Sequence, residues 1–168
     1  MRLSVGTFCA AAFAVSAIVP AAHADTSQVV KSWRTADGWL TELRRHSNGA
    51  NVCVSAKAFT TPHQFGLSII RSGPATLVTL VDQQQPPTSA GDLTISSGNT
   101  QLGSFQTTVQ GPAWATTEAD SQKMWSLLSD VTPGAVALSV AGRQYDADLA
   151  GIAEARAQLQ TCRAESGQ

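Results

Sequence analysis

The sequence has 168 residues, 43% of them hydrophobic and 14% charged, with a formal net charge of −1 and a pI near 6.3. Charge is sparse beside the roughly 25% of an ordinary domain, and Arg44-Arg45 is the only adjacent basic pair. That balance excludes a basic footprint for nucleic acid and a polybasic patch for a membrane surface.

The first 24 residues read as an export signal. Arg2 gives a positive start, Leu3 to Val19 is apolar and rich in small residues, and Pro20 breaks the run. Ala22-His23-Ala24 is an A-x-A cleavage site before Asp25. The apolar run is short for a bilayer span. Val5-Gly6-Thr7-Phe8 is a poor lipobox for Cys9. The expectation is a periplasmic or secreted protein, residues 25–168, with no transmembrane anchor after cleavage. Those residues suffice for one domain with its own core. Cys9 leaves with the signal, so Cys53 and Cys162 remain, an even pair in an exported chain, which predicts a disulfide. Metal or thiol chemistry is the competing use. The absence of CxxC spacing, with only His46 and His63 beside the pair, argues against zinc. No cofactor is expected.

Asp25 to Ser32 reads as a loose lead-in. Trp33 and Trp39 flank the breaker Asp37-Gly38. Trp39 to Arg45 predicts a first strand, with Trp39, Thr41 and Leu43 on one face, and Ser47-Asn48-Gly49 predicts a hairpin turn. Val52, Val54 and Ala56 alternate with Cys53, Ser55 and Lys57, which places Cys53 in a strand opposite the valines. Thr60 to His63 is a loop. Phe65, Leu67 and Ile69 open another strand, and Ser72-Gly73-Pro74 turns it into Ala75 to Val81. That run is apolar on both faces, the pattern of a strand covered on both sides. Gln83-Gln84-Gln85-Pro86-Pro87 is too rich in proline for sheet. Leu93 and Ile95 mark a short strand, which Ser97-Gly98-Asn99 turns toward Phe105, Thr107 and Val109. Gly111-Pro112 ends the β-rich part, leaving Trp114 in a loop.

A helix is predicted over 117–130. Thr117 with Asp120 resembles a capping box, and Met124, Leu127, Leu128 and Val131 recur at helical spacing before the stop Thr132-Pro133-Gly134. Two alternating runs follow, Val136, Leu138, Val140 and then Tyr145, Ala147, Leu149, joined through Ala141-Gly142-Arg143. A second helix is predicted over 151–163, with Gly151 as N-cap and Ile152, Ala155, Leu159 and Cys162 on one face. Short connections favour antiparallel pairing. The fold class is therefore α+β: a twisted antiparallel sheet or flattened sandwich with two helices, the C-terminal one on the sheet. The strand face bearing Cys53 is the one that helix should cover, so Cys53 pairs with Cys162.

Catalytic patterns are sparse. No serine sits in G-x-S-x-G; Ser68 follows Gly66 but falls mid-strand. His46 and His63 read as surface residues near turns. Asp146 and Asp148 project to one side of a strand, which could suit acid–base work or a cation, but the alternation is better explained by the solvated face of an edge hairpin. Glu118 and Asp120 fall in a helix first turn, where acids favour the macrodipole. The four tryptophans are the most unusual feature. Trp125 reads as core-facing. Trp33, Trp39 and Trp114 are the candidates for an apolar pocket or a partner surface, with core packing the competing use of each.

Two segments carry a resemblance. One is Gly134-Ala-Val-Ala-Leu-Ser-Val with Asp148-Leu149-Ala-Gly151-Ile152 and Ala155 before Leu159; the other is Val52-Cys53-Val54. Together they resemble small exported proteobacterial proteins of the invasion-associated locus B type, over a third of residues 25–168. The chain lacks that group's richer cysteine pattern and its internal cysteine-bearing loop. The resemblance implies a β-rich periplasmic or cell-surface protein without established catalysis, and it transfers no catalytic or binding residue. The sequence thus points to an exported binding protein for another protein or an apolar small ligand. A small envelope hydrolase, or an inhibitor of one, is the alternative. A pocket joining His46 or His63 to a serine and a carboxylate would favour the enzyme.

Overall fold

The computed structural model describes residues 27–60, 64–130 and 134–167. The expected export signal, Thr61-Pro62-His63, and Val131 with the stop Thr132-Pro133 lie outside the described residues. The strands are β1 (Gln28–Arg34), β2 (Leu40–Arg45), β3 (Asn51–Phe59), β4 (Phe65–Ser72), β5 (Ala75–Val81), β6 (Asp92–Ser97), β7 (Thr100–Gln110), β8 (Ala113–Thr116), β9 (Ala135–Val140) and β10 (Arg143–Asp148). The helices are α1 (Glu118–Asp130) and α2 (Ile152–Ser166).

All ten strands belong to one antiparallel sheet, in the order β1-β2-β3-β4-β5-β8-β7-β6-β9-β10. Hairpins carry the chain from β1 to β5. The segment Asp82–Gly91 then crosses to β6, and two more hairpins bring β8 back beside β5. α1 returns the chain to the far edge, where β9 and β10 close it. The expected α+β class is therefore observed, mostly sheet, with both helices against one face. α1 packs on β5 and β7, α2 on β2 and β3, and the helices touch each other.

Alternation decides which side chains meet the helices. Leu43 pairs with Cys53, Ile69 with Val78, and Leu80 with Trp114, so these fall on one inner face. All are buried. Burying one such leucine contributes about 1.5–3 kcal/mol. The buried residues of α2 are Ile152, Ala155, Leu159 and Cys162, the stripe read from the sequence. Cys53 and Cys162 are joined, with Cα atoms 6.0 Å apart.

The sheet also meets itself. The Tyr145 ring of β10 lies 5.0 Å from Phe65 on β4 and 6.2 Å from Trp114 on β8. Lys57 Nζ donates to the carbonyls of Asp148 and Ala150 at 2.7 and 3.2 Å. Gly151 begins α2 at φ +80°, and a Cβ there would come within 2.7 Å of the Asp37 side chain. Only glycine suits that backbone and that approach.

Four local readings are corrected. Gln28–Arg34 is a strand, not a lead-in. A bulge between Val29 and Lys31 shifts its register, so no clean alternation marks it. Ala113–Thr116 is also a strand: Gly111, at φ +57°, turns β7 into β8 instead of ending the sheet. Asp120 does not reach back to Thr117. Its Oδ2 accepts the Gln106 N–H at 2.8 Å, and Thr117 N–H donates to the Gln106 carbonyl at 3.0 Å, which ties α1 to β7. In β5, Val78 and Leu80 are buried inward, whereas Leu77 and Val81 face outward and stay partly exposed.

Candidate functional site

Trp39 and Trp114 are 0% and 1% exposed, so neither offers a surface to a ligand or partner. Each spends its indole N–H inside the fold: Trp39 Nε1 donates to the Ala150 carbonyl and Trp114 Nε1 to that of Ser89, both at 3.0 Å. Both rings lie against the C-terminal part of the chain, Trp39 at Ala150 and Trp114 at 6.2 Å from Tyr145, which the isolated sequence positions do not reveal. Trp125 is buried in the core. Trp33, on edge strand β1, keeps partial exposure, and Lys31 Nζ sits 4.9 Å from its ring.

Polar side chains gather instead where β5 ends and β10 begins. Asp82 follows the apolar run of β5 and is 6% exposed. A carboxylate so placed needs donors, and it has them. Tyr145 O–H donates to Oδ2 at 2.8 Å, and the Gln85 N–H donates to Oδ1 at 2.8 Å. Arg143 opens β10 after the turn made by Ala141 and Gly142, both at positive φ. Its Nη1 lies 3.6 Å from Asp82 Oδ2 and donates to the Gln85 carbonyl. Its guanidinium lies 5.2 Å above the Trp114 ring, a cation–π arrangement. Trp114 thus takes part as the floor under the arginine.

A pocket of about 210 Å³ opens here, lined by Asp82, Gln84, Gln85, Arg143, Gln144 and Tyr145. That is below the roughly 300–1,000 Å³ of pockets for drug-sized molecules, so it suits a smaller ligand. Burial, then the Asp82 hydrogen bond and charge, push the Tyr145 phenol up to about 12, against a smaller opposing effect of Arg143. Such a phenol stays protonated near neutral pH and cannot act as a base. Asp82 accepts a hydrogen bond on each of its oxygens from within the fold. The groups left to meet a ligand are the outer guanidinium N–H groups and the amides of the exposed Gln84, Gln85 and Gln144.

Tyr145 is the only tyrosine in the sequence, so absorbance at alkaline pH reports it alone. The folded protein holds this proton above the ordinary value of 10. The associated stability is therefore complete below about pH 10 and is lost as pH rises toward about 12. Asp82→Asn is expected to lower the midpoint part of the way, because burial, the larger cause, remains. A midpoint at the ordinary value in the parent protein would contradict the buried phenol.

The other candidates do not converge on this pocket. His46 lies in the β2–β3 turn, where its N–H donates to the Ala50 carbonyl. Ser68 Oγ is 2.6 Å from Thr79 Oγ1 on the neighbouring strand. Asp146 and Asp148 are exposed on edge strand β10. Asp120 is held below the usual carboxylate range, first by the Gln106 N–H and then by Lys123. Among the described residues, no group of three or more His, Cys, Asp or Glu side chains is arranged to hold a metal ion. None of the described helices is long and apolar enough to cross a membrane. Sequence reasoning missed Asp82, Arg143 and Tyr145 as a unit. The one signal was a lone aspartate directly after an apolar strand, and its tyrosine partner stands 63 residues away. No protein-family model, curated protein or solved structure matches this chain.

Proposed function

We propose that this chain is an exported binding protein of the periplasm or cell surface, as the resemblance to the invasion-associated locus B type implies, and that it has no catalysis of its own. The observation that carries the binding reading is the pocket at Arg143. Its carboxylate and phenol are bonded to each other, while Arg143 keeps partial exposure and Gln84, Gln85 and Gln144 are exposed. The chemistry is polar, which moves the ligand from the apolar class expected of the sequence to a small molecule rich in acceptors. The export reading rests on the signal-like start and agrees with the Cys53–Cys162 bridge. The contacts of Tyr145 and Lys57 across the sheet support the flattened sandwich.

Two measurements test this. Protein recovered from the periplasm or medium is expected to begin at Asp25; a retained Met1, or a cytoplasmic location, refutes export. A thermal-shift screen of small carboxylates, amino acids and sugars should find a ligand whose stabilisation is lost in Arg143→Gln. If no compound shifts the protein while broad esterase or peptidase assays are positive, the binding reading fails.

A further inference from the structure

A second cationic site lies apart from the pocket, beside the disulfide. Arg71 on β4 pairs with Cys53 across the β3–β4 ladder, so its side chain leaves the same face as that cysteine. Arg163 directly follows Cys162 on α2. The bridge therefore brings these two arginines to one spot, where α2 meets the sheet. Both side chains are partly buried, and the Nε atom of each is buried without a hydrogen-bond partner. Among the described residues neither arginine forms an ion pair. Glu165, a little over half a turn from Arg163 along α2, is already held by Lys31 at 2.7 Å. Arg71 is lowered below the ordinary guanidinium value, first by burial and then by the Arg163 charge, which places the two within electrostatic reach. Arginine stays protonated regardless.

Two adjacent like charges with buried, unanswered N–H groups are unfavourable for an empty fold. Thr76, paired with Arg71 on β5, and Gln122 of α1 are bonded to each other at 3.3 Å, so the surroundings are polar but hold no anion of their own. Two guanidinium groups this close supply more donors than one carboxylate accepts, and their planar forks match the oxygens of a tetrahedral group. We propose that Arg71 and Arg163 form a binding site for a phosphate-class oxyanion, distinct from the Arg143 pocket and independent of it.

Inorganic phosphate, titrated into the purified protein with chloride balancing ionic strength, should raise the melting temperature saturably. Arg71→Gln and Arg163→Gln should each weaken that response about tenfold or more, the loss of at least one charge-assisted bond. Each variant should also melt no lower than the parent in phosphate-free buffer, because a repulsion is removed. Either variant suffices if the other fails to fold. A parallel arm uses phosphatidylcholine vesicles with and without phosphatidic acid. Binding that needs the phosphatidic acid and Arg71, without a response to inorganic phosphate, assigns the same site to a lipid phosphate. An equal response in parent and variants, a response that chloride reproduces, or no response in either arm overturns the proposal.

Discussion

Cys162→Ser is expected to cost roughly 4–5 kcal/mol of stability, the largest effect of any single exchange considered. The bridge closes a separation of 109 residues. In the chain-entropy picture a loop of that length restricts the unfolded chain by about that much, although strain and residual structure often reduce the yield. A second cost adds to it. Both sulfurs sit in fully buried residues, so serine would place a hydroxyl there, with the Glu42 carbonyl as the nearest recorded acceptor. Against a usual total of about 5–15 kcal/mol, the variant should be marginal. Denaturant unfolding, with the slope fitted separately for each protein, measures the difference. Amide exchange should show α2 opening first, since the bridge is its covalent tie to β3. A shift under about 1 kcal/mol, or two alkylatable thiols in unreduced protein, would remove the staple from this account.

The second large effect belongs to Trp39→Ala. A buried tryptophan cut to alanine costs about 3–5 kcal/mol through lost transfer energy and the cavity left behind. Here the indole also donates to Ala150, at the corner where β10 turns into α2. Trp39→Phe should cost less, because Lys57 Nζ still reaches that carbonyl. Trp33→Ala, on the exposed edge strand, should cost under about 1 kcal/mol and serves as the comparison. Equal losses for the two alanine variants would mean that Trp39 is not the core residue described.

The C-terminal hairpin and helix were legible because their apolar positions obey one period for five or more residues. Val136 to Val140 and Tyr145 to Leu149 alternate cleanly, and one α2 stripe ends on Cys162. Cys53 was legible for the same reason, and the pairing followed from which strand face the last helix had to cover. β1 was not, because its bulge breaks the period, and β8 was not, because four residues are too few to show one. Misreading β8 carried Trp114 from a buried strand to a supposed loop surface. Trp39 failed differently: its strand was read, but what covers its ring is the β10–α2 corner, a hundred residues on. The Asp82–Tyr145–Arg143 cluster was hidden for that same reason, since no local pattern joins the end of β5 to the start of β10.

The order of strands has a consequence for how the molecule is made. β1 to β5 are consecutive hairpins, contacts that form in microseconds once the segment exists. The inner face of β2 and β3, however, is covered by α2, which follows every described strand in the chain. A partly synthesised chain therefore presents a sheet with its apolar side bare, the form most open to aggregation. Closure waits on long-range contacts, which are slow to form. A carrier that keeps the chain extended until α2 is available would spare it that state, and the topology itself creates the need for one.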